Sequence, residues 1–199
     1  ACRARGLKIV TYGGEGADIA LRSASPIPGG QSLDLSIFGT KRAVEFPLVG
    51  LFQAENALCA LAMAVVCGAD AKSAVAALAR LDSVPGRLEK VGETATGAAV
   101  YVDYAHTPDA LANALAALRP PARGKLSLIF GCGGERDPGK RTEMGRIAAR
   151  LADAVIVTDD NPRGEAPAAI RRAILAACPG ATEIADRREA IRAAVASLR

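Results

Sequence analysis

KLSLIFGCGGERDPGKRTEMGRIAARLADAVIVTDDNPR, residues 125–163, decides the fold class. Leu126, Leu128, Ile129 and Phe130 form a short apolar run that stops at glycines, and residues 154–157 form a second that stops at Asp159. Runs that are apolar on both faces suit parallel strands covered by helices. Between them Met144, Ile147, Ala148 and Leu151 recur at helical spacing, while Arg146 and Arg150 fall on the other side. The stretch therefore reads as a βαβ unit. Its two strands end on polar loops, 131–140 and 159–163, placed side by side at the carboxyl edge of one sheet, where open α/β sheets bind ligands.

Working outward, residues 109–118, 142–151, 167–177 and 188–198 read as helices, and 126–130, 154–157 and 182–185 as strands. That alternation predicts a small parallel sheet with helices packed on it. Upstream the pattern differs. Residues 8–12, 19–23, 32–37 and 43–48 read as strands broken at glycines and prolines, and 54–66 and 71–81 as helices rich in small residues; 99–102 is a strand ending at Asp103. The junction between the two patterns falls near 104–108.

Composition narrows the function classes. Half of the 199 residues are hydrophobic, which suffices for a large domain or two smaller ones. The net charge of +4 comes from interleaved rather than blocked charges, with no basic run among aromatics, so nucleic acid is not an expected partner. No apolar stretch approaches the roughly 18 residues that span a bilayer, so membrane insertion is not expected. The five cysteines show no C-x-x-C spacing and read as buried free thiols rather than disulfides or zinc ligands. The opening residues 1–5 carry neither an initiator Met nor a helix cap, as expected of a chain entered in mid-domain.

Four constellations carry chemical interest. In Gly50-Leu51-Phe52-Gln53-Ala54-Glu55-Asn56, Asn56 is expected in the first turn of a helix, where capping competes with ligand binding as its role. In Pro85-Gly86-Arg87-Leu88-Glu89 a tight turn presents a guanidinium fork suited to phosphate, or merely a solvated turn. In Asp103-Tyr104-Ala105-His106-Thr107-Pro108, Thr107 and Pro108 read as a helix start, whereas Asp103 and the chain's one His, His106, are left for a nucleotide ribose or a structural role. Last, the glycine loop fits neither G-x-G-x-x-G, because Arg136 takes the third place, nor G-x-x-x-x-G-K-[ST], because Arg141 replaces the hydroxyl. It reads instead as a loop carrying Arg136, Lys140 and Arg141 toward Asp160, Asn161 and Arg163. That set suits a zwitterionic ligand, with a salt-bridged surface loop as the alternative.

Together these motifs resemble the Mur ligases, the cytoplasmic ATP-dependent amide ligases of peptidoglycan synthesis. Residues 50–56 are similar to the family's G-x-F-N-x-x-N segment, with Gln53 where Asn is usual; 86–89 to its G-R-x-E turn; and 103–108 to its D-Y-A-H-x-P junction. The loop 131–141 and the D-N-P-R run 160–163 resemble the branch that adds the third peptide residue, in the form associated with meso-diaminopimelate.

The resemblance implies the fold: residues 1–104 as the rear part of a central ATPase-type α/β domain, and 105–199 as a truncated Rossmann-like C-terminal domain with a small, mostly parallel sheet. It implies activation of a carboxylate of a UDP-linked muramoyl dipeptide by ATP and Mg2+, then attack by the amine of meso-diaminopimelate. Asn56, Arg87, Asp103 and His106 would bind ATP, and Arg136, Asp160, Asn161, Pro162 and Arg163 the amino acid. No catalytic residue is assigned, because the phosphate loop and the modified-lysine segment of the family do not occur in this sequence. The expectation is thus a fragment that is inactive alone and holds no cofactor. A folylpolyglutamate synthase-like ligase and a non-catalytic Rossmann-like nucleotide-binding module are the competing readings.

Overall fold

The computed structural model describes residues 3–198, and its contacts divide them into two compact units that meet in sequence at Ser83 and Val84. Cys2 and the expectation for the first two residues lie outside the described residues.

In the first unit, β1 (Tyr12–Gly13) runs parallel to β2 (Ile19–Ile27), which continues into an antiparallel meander through β3 (Gly30–Ile37) and β4 (Thr40–Phe46). Alternation along β3 turns Leu33, Leu35 and Ile37 inward, and with Ile19 and Phe46 they meet Ala54, Leu58 and Leu61 of α1 (Leu51–Val66). The β3–β4 turn is two residues, Phe38 and Gly39, both at positive φ, the geometry whose twist matches the flanking strands. The short helix α2 (Ala71–Leu78) starts at Asp70, whose carboxylate accepts the Ser73 N–H at 2.8 Å.

Two local expectations change here. The strand anticipated over 8–12 shrinks to β1, and Leu7 and Ile9 are exposed, because only Tyr12 and Gly13 find partners in β2. Helix α1 begins at Leu51, earlier than anticipated. The buried Gln31 amide causes this: it donates to the Leu48 and Gly50 carbonyls at 2.8 and 2.9 Å and fixes the chain as it enters the helix.

The second unit opens with an antiparallel hairpin, β5 (Glu89–Glu93) and β6 (Ala99–Val102). There follow α3 (Pro108–Leu118), β7 (Ser127–Phe130), α4 (Gly139–Leu151), β8 (Ala154–Val157), α5 (Pro167–Leu175), β9 (Thr182–Glu183) and α6 (Arg187–Ser197). Strands β7, β8 and β9 form a parallel sheet in that order. Phe130, Val155 and Val157 pack with Leu111, Leu115, Met144, Ile147, Ala148, Ile170 and Ile174 into one core. This is the small parallel sheet with helices that the alternation predicts and the Rossmann-like α/β unit that the resemblance implies. Thr107 caps α3 through its hydroxyl, with Pro108 at the first helical position.

The division at Ser83/Val84 lies some way before the anticipated 104/105 boundary, and hydrogen bonds account for the difference. Tyr104 N–H donates to the Gly86 carbonyl at 2.8 Å and Leu88 N–H to the Asp103 carboxylate at 2.7 Å, tying the turn before β5 to the end of β6. Of the described cysteines, all free, Cys132 and Cys178 are buried as expected, but Cys67 closes α1 and is exposed.

The acidic groups that hold these turns are shifted in the same direction. The Arg141 guanidinium and the Glu135 N–H hold the Glu165 carboxyl below the usual carboxylate range, and the Leu126 N–H and Arg119 do the same for Asp153. Backbone N–H groups likewise lower Asp70 and Asp18. The folded state therefore binds fewer protons than the unfolded chain, so the stability these groups contribute is complete above about pH 5 and is lost as pH falls through their lowered values. The thermal midpoint should stay level from pH 7 to about 5 and drop below it. A midpoint that rises on acidification contradicts this.

Candidate functional site

Strands β7 and β8 pair in register, Phe130 opposite Val157, so the loops that follow them leave the sheet side by side. The approach is close enough that only glycine fits. A Cβ on Gly131 would lie 2.3 Å from the Thr158 carbonyl oxygen, and one on Gly134 would lie 1.9 Å from that of Pro162. The glycines of this loop thus serve contact between two chain segments rather than a phosphate cradle.

Hydrogen bonds bind the two loops together. Gly134 N–H donates to the Asn161 carbonyl at 2.9 Å, and Arg163 Nη1 donates to the Gly134 carbonyl at 2.6 Å. A Cβ on Gly133 would sit 2.8 Å from Arg163 Nη1, so the guanidinium lies over a slot that two glycines open. Within the second loop, Asp160 accepts the Asn161 N–H at 2.6 Å and Asn161 Oδ1 accepts the Arg163 N–H at 3.3 Å. Arg163 itself is at positive φ, uncommon for a residue with a Cβ. Asp160, Asn161 and Arg163 are exposed at the sheet's carboxyl edge, and Arg136 is exposed on the neighbouring loop. The structure thus brings together the five residues anticipated for an amino acid, with the half-buried Pro162 as the rigid step between Asn161 and Arg163.

Lys140 and Arg141 depart from expectation. Both belong to the first turn of α4, which begins at Gly139 rather than at Thr142. Lys140 Nζ donates to the His106 carbonyl at 3.1 Å. Arg141 is buried and forks onto Glu165, Nη1 to Oε2 at 2.9 Å and Nη2 to Oε1 at 2.7 Å. Arg141 is thus withheld from solvent, whereas Lys140 is half-buried and turned to the His106 carbonyl. Beside them the Cys132 thiol is buried 3.7 Å from Met144 Sδ, and burial pushes its pKa up, which suits an inert packing group.

A second cluster forms at the hairpin base. Arg87 lies over the Tyr104 ring, 5.1 Å from its centroid, and the Tyr104 and His106 rings meet edge to face at 5.3 Å. Tyr104 is two-thirds exposed. Both Asp103 carboxylate oxygens accept backbone N–H groups, Oδ2 from Leu88 and Oδ1 from Ala105 at 2.8 Å. Its first role is thus to staple the turn, where Leu88 sits at positive φ. Asn56 lies in the first unit, exposed in the second turn of α1 rather than the first. The helix N-cap is Gly50 with no side-chain cap, so capping is not the role of Asn56.

Comparison with known proteins follows this geometry. The family model described as "Mur ligase, glutamate ligase domain" matches residues 86–199, more than half of the chain and nearly all of the second unit. The chain belongs to the Mur ligase family. The UDP-N-acetylmuramoyl-L-alanyl-D-glutamate--2,6-diaminopimelate ligase of Chelativorans sp. (strain BNC1) is 53% identical over 98% of this chain, and the Rhizobium meliloti protein of that name is 52% identical over 100%. The chain spans about two fifths of the length of these relatives. Among solved structures, a ligase of the same name matches at TM-score 0.66 and 35% identity over 97% of this chain and 40% of its own. A Mycobacterium tuberculosis folylpolyglutamate synthase complexed with ADP matches at TM-score 0.72 but 23% identity, over 91% of this chain and 41% of its own, which is likeness of fold.

Within this Mur ligase chain, sequence reasoning missed Glu135 and Glu165 as organisers of the loops and Tyr104 as the platform under Arg87. It also missed Arg171, which bonds Asp159 and, at 2.6 Å, Glu183. The Arg141–Glu165 and Arg171–Asp159 pairs join residues 24 and 12 apart, beyond any local spacing rule. The one available signal was Glu165 and Arg171 following the D-N-P-R run within a few residues.

Proposed function

We propose that this chain is the amino-acid-binding part, with some of the nucleotide-binding part, of a cytoplasmic ligase that adds meso-diaminopimelate to UDP-N-acetylmuramoyl-L-alanyl-D-glutamate in peptidoglycan synthesis. The observation that carries the proposal is the pair of interlocked loops with Arg163 and Arg136 exposed at one sheet edge beside Asp160 and Asn161. Diaminopimelate carries two ammonium and two carboxylate groups. Two guanidinium forks, a carboxylate and an amide match that charge pattern. Arg163 is held by one nitrogen on the Gly134 carbonyl, which fixes its plane while its exposed remainder meets a carboxylate.

For ATP, Arg87 over the exposed Tyr104 face and the neighbouring His106 supply a cation and aromatic surface that fit a nucleotide. A carboxylate accepts about four hydrogen bonds, so Asp103 can take a ribose hydroxyl beside its two N–H donors. The family resemblance assigns Asn56, in the first unit, to ATP as well. When bound, ATP supplies the phosphoryl group that activates the dipeptide carboxylate as an acyl phosphate. This chain's residues would orient the incoming amine and exclude other amino acids. Among the described residues no group of three or more His, Cys, Asp or Glu could hold a metal ion, so they do not by themselves fit magnesium.

Grafting residues 1–199 in place of the matching segment of the Chelativorans relative tests the reading. Phosphate release from ATP should depend on meso-diaminopimelate and not on lysine. Equal use of lysine, or dependence on glutamate with a folate acceptor, overturns it.

A further inference from the structure

The loops that carry Arg136 and Arg163 are joined by a reciprocal clasp with a buried base. Glu165 Oε1 accepts the Glu135 N–H at 2.6 Å, and Glu135 Oε1 accepts the Gly164 N–H at 3.2 Å, so each loop's carboxylate closes on the other's backbone. Beneath them Arg141, 6% exposed on α4, grips both oxygens of Glu165. Both loops hold a residue at positive φ, Glu135 directly before Arg136 and Arg163 itself. Such backbone persists only where the surroundings over-determine it. The clasp supplies that constraint at Glu135 and beside Arg163, next to the two guanidinium side chains that face the proposed ligand. An apolar pair of similar volume could fill the same space. It could not accept the Glu135 N–H.

We propose that Arg141 and Glu165 are positioning residues: their fork, anchored on the buried Arg141, sets the glycine loop against the D-N-P-R loop and so presets the spacing of Arg136 and Arg163 for a dicarboxylate amino acid. This rests on the amino-acid reading of the site. Neither residue touches the ligand. Both act through the loop backbone.

The test uses the full chain, with meso-diaminopimelate as probe and amide hydrogen exchange at Glu135 and Gly164 as an independent readout. Arg141→Met with Glu165→Leu should still fold, with a lower thermal midpoint at neutral pH because the stability the Arg141–Glu165 fork contributes is lost. Exchange at both amides should quicken, and the dissociation constant for meso-diaminopimelate should rise about tenfold, the cost of ordering two loops on binding. Arg141→Lys should restore part of both, because an ammonium keeps the charge but not the fork. If the double variant does not fold, isosteric Glu165→Gln carries the same comparison with a smaller loss. Unchanged affinity and unchanged exchange in a folded variant overturn the proposal. If the unsubstituted chain does not bind the probe, the amino-acid reading fails and the positioning role for that ligand fails with it. Quickened exchange would then still identify the clasp as what holds the loops.

Discussion

Gly134→Ala is expected to abolish meso-diaminopimelate binding and to lower the thermal midpoint of the second unit by about 5 °C or more. The added Cβ would fall 1.9 Å from the Pro162 carbonyl oxygen, which is backbone and cannot turn aside as a side chain would. The loops must separate. That breaks the Gly134 N–H to Asn161 bond and the Arg163 bond to the Gly134 carbonyl together. Overpacking of this kind typically costs about 1–3 kcal/mol, which in a unit of this size corresponds to several degrees. Gly124→Ala and Gly180→Ala are the controls, since a Cβ at either meets nothing within 4 Å and neither has positive φ. Calorimetric titration and thermal melts of the three variants settle the point. If Gly134→Ala behaves like the controls, the interlocked-loop geometry is wrong.

Arg163→Ala is expected to weaken meso-diaminopimelate binding about ten- to a hundredfold while leaving lysine nearly unaffected. The two amino acids differ by one carboxylate, and a site prefers the longer one only by offering a cation there. A charge-assisted pair contributes roughly 1.5–3 kcal/mol, which sets the factor. Arg163→Lys should recover only part, because the ammonium cannot span the Gly134 carbonyl and a ligand carboxylate as a planar fork does. Equal losses for both amino acids, or a loss confined to ATP, would reassign this loop.

Much of the second unit was legible because its signals are local. Residues 154–157 form the anticipated strand, and Thr107-Pro108 opens the anticipated helix. The residues proposed for the amino acid could be grouped from the sequence because the two loops follow adjacent parallel strands, so topology brings both loops to one edge. What escaped was long-range or weakly patterned. Strand β5, Glu-Lys-Val-Gly-Glu, is largely exposed and shows no hydrophobic period, so only its pairing with β6 makes it a strand. The start of α1 depends on Gln31, which lies 17 and 19 residues before its carbonyl partners. Arg141 looked like a loop cation because a near-match to a phosphate loop drew the reading away from its partner Glu165. A charge in a sequence does not declare whether it faces solvent or a buried opposite charge.

Recognition of the second carboxylate of a diamino dicarboxylate is proposed for one sheet edge, that of β7 and β8. Backbone amide chemical shifts of the chain, followed while meso-diaminopimelate and then L-lysine are titrated in, test it most directly. Saturable shifts are expected at Gly133, Gly134, Arg136, Asn161, Arg163 and Gly164 with meso-diaminopimelate, much weaker ones with lysine, and their loss in Arg163→Ala. Shifts elsewhere with these amides unmoved, or equal responses to the two amino acids, would contradict it.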